Sequence, residues 1–509
     1  MIPVLTPQSM RDADRAGVQE LGFSSIDLME NASRSCADII HAILPDNSSI
    51  LVLCGTGNNG GDGFAIARMM SVHHQVRVGW IGDEGRMTPE TTEEFARCVQ
   101  SGVPCLHLSS HEQLSLLFAE PFTCIVDALI GIGGSENLRG FVTEVLIAAN
   151  RARCLRVAVD VPTGLNALTG EAHEHCFAAH HTITMAAVKT GLCMRKGKDV
   201  CGRVHIATIG LTPEIVSSRT SAFIIEREDV ASVFTARQSD SSKFDYGRVC
   251  VVAGSRDMPG AAALCANAAI MSGAGMVELC STFFHAQLLP EVLQTHVAAT
   301  NAGTIGSDNY ERLRLSCSRA QCIVIGPGMG RHEETSEVVR KLIAEFASTI
   351  PMIIDADALS ALNTTTALSP LVMLTPHAGE YRRLLEQIHY TRETDVDVRE
   401  FASHMGCCVV AKGVPVKMSN GTLTMWNTNG NAGMATAGSG DVLAGVIASM
   451  VCRDRELPLL QRVAAGVFIH GLAGDIAAEH FTQEGVTASR IVSMLHKAFA
   501  EILASRHDN

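Results

Sequence analysis

The feature that most constrains this chain is the order of its apolar runs and glycine-rich strings. ILVLC at 50–54 is a short run of β-type residues, and GTGNNGGDG follows at 55–63. FAIARMMSV at 64–72 then has helical character, and VRVGWIG at 76–82 is strand-like again. A strand–turn–helix–strand series is a βαβ unit, and such units build parallel sheets. CIVDALIG (124–131), LRVAVDVP (155–162), ITMAAV (183–188) and VHIATIG (204–210) predict further strands of the same half. Residues 4–44 predict helix, with Ser25 as a cap.

The pattern restarts with RVCVVAGS (248–255) and continues through CIVIGPGMG (322–330), MIIDADAL (352–359), LVMLTPHAGE (371–380) and CVVAKG (408–413) to a long apolar helix after Gly440. Between the halves, residues 211–243 are polar and turn-rich (LTPE, SSRTS, QSDSSK), which places a boundary within 215–240. The expectation is an α/β protein of two domains, 1–217 and 218–509, with no direct repeat linking them. With 47% hydrophobic residues, 509 residues suffice for two cores. The balance of 40 Lys+Arg against 53 Asp+Glu gives a net charge of −13 and argues against nucleic acid or an anionic membrane as the main partner. The 17 cysteines form no CxxC pair and read as buried free thiols. The N-terminal text lacks an apolar signal core. The uncharged run 258–277 is broken by Pro259, Gly260, Asn267, Ser272, Gly273 and Gly275, so it reads as a loop plus a buried helix, not a membrane span. A cytoplasmic location is expected.

Glycines at 55–63 let backbone N–H groups face an anion, and the following helix adds its positive end. The string reads as a phosphate cradle, and not as the G-x-G-x-x-G dinucleotide fingerprint. Asp127 and Asp160 close apolar strands and precede turns rich in Gly or Pro. In open parallel sheets that edge is where ligands sit. Either Asp alone is more often a cap or turn residue; two beside a glycine loop favour a site. His173, His175, His180 and His181 are close enough in sequence to raise the question of zinc.

LMENA (28–32), GTGNNGGDG, VDALIGIG and DVPTG, in this order, resemble the NAD(P)H-hydrate epimerase family over about the first 215 residues. The resemblance implies a Rossmann-like three-layer domain that equilibrates the R and S epimers of hydrated NADH and NADPH. It implies that Asn58, Asn59, Gly60, Gly61 and Asp62 bind the hydrate, with Asp160 and the loop Gly131, Ile132, Gly133, Gly134, Ser135, Glu136 and Asn137. Asn59, Asp127 and Thr163 would hold potassium (K+). A hard monovalent cation suits such oxygen donors. Proton transfer falls to Asp127 or Asp160, which the sequence does not separate.

In NTNGNAGMATAGSGDVLAGVIASM, the N–H groups of Gly438, Ser439 and Gly440 can form an anion hole, and Asp441 is placed to take a proton from a hydroxyl. With GSRDMPGAAAL (254–264), GPGMG (326–330), TPHAGE (375–380) and AKGVPV (411–416), this string resembles the ribokinase-like superfamily over about residues 240–500, and within it the NAD(P)H-hydrate dehydratases. The resemblance implies a C-terminal ribokinase-like α/β domain. ADP or ATP would phosphorylate the hydrate's hydroxyl, and phosphate would then leave. Ala261, Gly328, His377 and Asp441 would contact the hydrate, with Asp441 as base. Lys412, Gly413, Val414, Pro415 and Val416 would hold the nucleotide together with Gly438, Ser439 and Gly440, and Glu380 would help to place Mg2+ through water. One departure stands at Ser242-Lys243-Phe244-Asp245-Tyr246-Gly247, where the family has His-Lys-Gly-Asp before an aromatic residue and Gly.

The leading expectation is a bifunctional repair enzyme acting on small molecules, without nucleic acid or membrane, as a homo-oligomer. The alternatives are a ribokinase-like kinase for a hydroxymethylpyrimidine-type substrate with a regulatory N-terminal module, and a non-catalytic N-terminal domain that binds a partner.

Overall fold

Alternation of side chains across buried strands organises both halves of the chain. In the unit Ile2–Ala222, seven parallel strands are β1 (Ser49–Cys54), β2 (Gln75–Trp80), β3 (Cys105–His107), β4 (Cys124–Ala128), β5 (Leu155–Val159), β6 (His181–Met185) and β7 (Arg203–Ala207), in the order β3-β2-β1-β4-β5-β6-β7. Ile50, Val52 and Cys54 enter one apolar cluster while Leu51 and Leu53 enter another, so the sheet is buried on both faces. The computed structural model describes residues 1–133, 138, 140–235, 237–362, 367–388, 397–453 and 456–504.

The expected helix over 4–44 is instead a strand, Ile2–Leu5, followed by α1 (Pro7–Leu21) and α2 (Ser25–Ile43). Gly22 breaks the run in the left-handed region at φ 75°. Ser24, not Ser25, caps α2. Its hydroxyl accepts from the Asp27 N–H at 3.2 Å, and the Asp27 carboxylate accepts from the Ser24 N–H at 2.9 Å. A second difference concerns the first glycine string, which is not a turn throughout. Helix α3 runs from Asn58 to Met70 and so absorbs Asn58 through Gly63. The glycines there serve close packing: a Cβ on Gly60 would lie 1.9 Å from the Gly55 carbonyl oxygen.

In the second unit, Phe223 onward together with Met1, the strands are β8 (Arg248–Val252), β9 (Met276–Ser281), β10 (Val292–His296), β11 (Cys322–Ile325), β12 (Met352–Ile354), β13 (Val372–Leu374), β14 (Cys408–Ala411), β15 (Val416–Ser419) and β16 (Thr424–Asn427). They lie in the order β10-β9-β8-β11-β12-β13-β14-β15-β16, parallel as far as β14 and antiparallel beyond it. Val249 and Val251 join one cluster, Cys250 and Val252 the other. The run 258–277 holds α4 (Pro259–Met271), and its last two residues begin β9. No helix among the described residues is long and apolar enough to cross a membrane. Helices α5 (Ala378–Gln387), α6 (Ser439–Val451) and α7 (Leu459–Phe481) complete the elements that frame the second site.

Candidate functional sites

At the C-terminal edge of the first sheet, β1 leads through Gly55 into α3, whose N-terminus has no side-chain cap. The Gly60 N–H donates back to the Gly57 carbonyl at 2.8 Å, and the positive end of the helix faces the strand edge. Gly55, Gly57 and Gly60 do stand at G-x-G-x-x-G spacing, which corrects the expectation that the fingerprint is out of register. Asn58 is exposed and Asn59 buried. Both polar atoms of the Asn59 side chain are buried without a partner. A Cβ on Gly131 would lie 3.2 Å from the Asn59 side chain, so the β4 exit loop passes directly over it. Ile132 and Gly133 continue that loop; Gly134, Ser135, Glu136 and Asn137 lie outside the described residues.

Asp127, fully buried at the end of β4, accepts from the Thr163 N–H (2.8 Å), the Thr163 hydroxyl (2.7 Å) and the Leu129 N–H (3.2 Å). Burial raises its pKa to about 6 against those hydrogen bonds. Asp160, just past β5, sits in the left-handed region at φ 65°. Its Oδ1 meets Lys189 Nζ at 2.7 Å. Asp62 lies in the first turns of α3 with the Ser33 hydroxyl at 3.4 Å, and burial together with the Asp160 charge pushes its carboxyl well above the usual range. Sequence reasoning singled out Asn59, Gly131, Asp127 and Thr163, of which Gly131 lies against Asn59 and Thr163 bonds to Asp127. It missed Lys189, whose only signal was a charged residue directly after an apolar run.

The four histidines do not converge. The His175 N–H donates to His173 Nδ1 at 3.1 Å, His180 Nδ1 accepts from the Arg156 N–H at 3.0 Å, and His181 Nδ1 meets His205 Nε2 at 2.9 Å.

The second site is built on the ends of β11 to β14 and the start of α6. Gly438 takes φ 87° and precedes α6, whose N-terminus also has no side-chain cap. Asp441 lies in the first turn. Its pKa is raised to about 7 by burial, then by the Asp355 charge, with Lys412 opposing and Asp357 and Glu380 adding. Lys412, at the end of β14, ion-pairs with Asp355 at 2.8 Å and approaches Glu380 at 4.0 Å. A Cβ on Gly440 would lie 3.2 Å from Lys412 Nζ, which puts the ammonium over the glycine turn. Burial opposes that ammonium, but the carboxylates of Asp355, Glu380 and Asp441 outweigh it and raise its pKa. Gly413, Val414 and Pro415 follow as the turn into β15, which starts at Val416; Val414 is exposed.

Ala261 in α4 touches the GPGMG turn, since a Cβ on Gly328 would lie 2.8 Å from the Ala261 Cβ. His377 caps α5, its Nδ1 accepting from the Gly379 N–H at 3.0 Å, while Glu380 accepts from the His377 N–H at 2.8 Å. The Ser439 hydroxyl meets His470 Nε2 at 3.4 Å, and burial lowers that histidine's pKa to about 4. Asp355 was not singled out, although it ends the apolar strand β12 as Asp127 ends β4. It is 1% exposed, and its Oδ2 has no partner. The departing segment is a local turn: Asp245 accepts from the Ser242 N–H and hydroxyl at 2.7 and 2.9 Å.

A family model described as NAD(P)H-hydrate dehydratase matches residues 249–497, and one described as YjeF-related protein N-terminus matches 25–191. Relatives named bifunctional NAD(P)H-hydrate repair enzyme Nnr match nearly end to end. That of Thermofilum pendens is 33% identical over 95% of this chain and 94% of its own. Those of Moorella thermoacetica and Escherichia coli are 32% and 30% identical, over 97% and 98% of this chain and 96% and 94% of theirs. Among solved structures, a ribokinase-like superfamily protein from Enterococcus faecalis covers 55% of this chain and 96% of its own at 27% identity, with a TM-score of 0.49.

Proposed function

The chain belongs to the family of bifunctional NAD(P)H-hydrate repair enzymes, and we propose that each of its two sites carries one of the two reactions. It is an NAD(P)H-hydrate epimerase and a nucleotide-dependent NAD(P)H-hydrate dehydratase. The domain 1–217 holds the epimerase and 218–509 the dehydratase. ADP is the phosphoryl donor, with ATP as the alternative, and the protein works in the cytoplasm as a homo-oligomer.

In the epimerase site Asp160 is the base. Both oxygens of Asp127 already accept from Thr163, which suits it to holding loops together. Asp160 takes the proton of the C6 hydroxyl. The C6–N1 bond breaks, and its electron pair moves to the ring nitrogen, where the carboxamide conjugation stabilises it. Rotation offers the other face of the new aldehyde. The nitrogen pair returns to C6, and Asp160 gives the proton back to oxygen. Asn58 through Asp62 and the loop 131–137 bind the hydrate. K+ fits the unpartnered, buried Asn59 amide, with Asp127 and Thr163 as further oxygen donors. When bound, it supplies positive charge beside the Asp127 carboxylate.

In the dehydratase site Asp441 takes the C6 hydroxyl proton as the oxygen attacks the terminal phosphoryl group of the nucleotide. The N–H groups of Gly438, Ser439 and Gly440 and the Lys412 ammonium stabilise the transferring charge. The ring nitrogen's lone pair then expels phosphate, and loss of a C5 proton restores the dihydropyridine. Ala261, Gly328 and His377 position the hydrate, and the turn 412–416 holds the nucleotide. The unpartnered Asp355 Oδ2 and nearby Glu380 fit waters of Mg2+, which would neutralise phosphate charge when bound.

The observation that carries this reading is the pair of separate, uncapped helix starts, each beside a perturbed carboxyl, in a chain matched end to end by such enzymes. Incubation with hydrated NADH and ADP or ATP tests it. Recovery of dihydronicotinamide absorbance supports repair, whereas accumulation of a stable phosphorylated product identifies a kinase.

A further inference from the structure

Lys189 has no exposed side-chain surface. It lies in the strand Val188–Lys189, paired in parallel with Ile2–Leu5. Its ammonium donates to the Met185 carbonyl at 2.7 Å and to the Thr184 hydroxyl at 3.1 Å, and meets Asp160 Oδ1 at 2.7 Å. All three N–H groups are therefore committed to protein, and the ammonium can neither reach a ligand nor exchange readily with water. A sealed ammonium persists only with a carboxylate partner.

One carboxylate contacts this cation, and two further carboxyls feel the charge of that carboxylate. Asp160 pairs with it directly. Asp62 approaches from α3 and Asp14 from α1, each sensing the Asp160 charge. Burial raises both carboxyls, Asp14 to about 6. The remaining neighbours are Cys36 and Ser33 on α2 and Thr184 and Met185 on β6, with Glu94 acting on Asp62 at longer range. Of the three, Asp160 is the carboxyl in direct contact with the ammonium, on a backbone held in the left-handed region.

We propose that Lys189 is a positioning residue of the epimerase site, holding the Asp160 carboxylate in place and stabilising its charge for proton transfer. This rests on the reading of Asp160 as the base. Lys189 acts through Asp160 and touches no substrate.

The test uses the full-length chain, with epimer exchange followed by chromatography across pH without nucleotide. Nucleotide-dependent dehydration of the S hydrate and a thermal melt report folding. Lys189→Met is expected to lower exchange about 100-fold at neutral pH and to move the acid limb of the profile upward by about one pH unit or more, leaving dehydration intact. Asp14→Asn removes a negative neighbour without touching Lys189, and is expected to move the acid limb downward at an unchanged plateau. Slower exchange in Lys189→Met with an unmoved limb, or an unmoved limb in Asp14→Asn, overturns the proposal; if Lys189→Met does not fold, Asp14→Asn alone decides. Asp160→Asn separates the two layers. If it retains exchange, the base assignment fails; if it loses exchange while the other limbs stay fixed, only the role of Lys189 fails.

Discussion

The two units each place a lysine against an aspartate at a strand end, and the pairs differ in one respect. The Lys189 side chain is 0% exposed, with every N–H used by protein. The Lys412 side chain is 19% exposed and lies over the glycine turn that starts α6. A sealed lysine can act only on its aspartate, whereas an open one can also meet an incoming phosphate. On the proposed reading, the same pair of side chains serves proton transfer in one unit and anion handling in the other. Burial decides between them.

That contrast can be broken from either side. The largest effect is expected at Gly60→Ala, where the new Cβ would press on the Gly55 carbonyl at 1.9 Å. Epimer exchange should fall about 100-fold and the first unit should lose about 1–3 kcal/mol, while dehydration is unchanged. An unaltered exchange rate would mean that the α3 entry does not shape the site. Next, Lys412→Met should raise the nucleotide KM about 10–100-fold, the loss of a charge-assisted contact, without affecting exchange. If KM stays constant while kcat falls, Lys412 is acting on Asp441 rather than on phosphate.

The pH profiles sharpen the contrast further. Asp441 must be ionised to accept a proton, and its pKa is raised to about 7. The dehydration rate should therefore fall about tenfold per unit as pH drops below about 7 and level off above it. Asp355→Asn removes the charge that helps raise that value, so the limb should shift to lower pH. The same shift has a stability sign. A carboxyl whose folded pKa lies above its unfolded value favours the fold below the unfolded pKa, and that contribution disappears as pH rises through about 7. Asp441→Asn should thus melt furthest above the parent at pH 8, by a smaller margin at pH 5, and alongside it below the unfolded value of 3.8. The smallest expected effect is a fall of a few fold in exchange when K+ is replaced by a bulky organic cation, with dehydration measured in the same samples. Equal losses in both reactions would place the ion elsewhere.

Asp127, Asp160 and Asp441 were legible because each ends an apolar strand or glycine turn, a local pattern that parallel sheets turn into a shared edge. Asp355 carries the same signal in MIIDADAL, and its importance emerged only from the proximity of Lys412, 57 residues on. Lys189 was not legible, because its meeting with Asp160 depends on a reversal after β6 in which Ala186 takes φ 59°. Local composition does not encode that bend. The start of α3 was misplaced for a related reason: glycine propensity argues for a turn, but packing of Gly60 on Gly55 overrides it. Ser24 and Ser25 differ only in which one can reach three residues ahead to a carboxylate at Asp27.

The central claim is that two reactions reside at two independent sites, one in each unit. Asp441→Ala, given a mixture of R and S hydrates with and without nucleotide and resolved by chromatography, tests it most directly. The account predicts that the epimers continue to interconvert at the parent rate while no NADH or NADPH forms. Loss of interconversion in this variant, or continued formation of the reduced coenzyme, would contradict it.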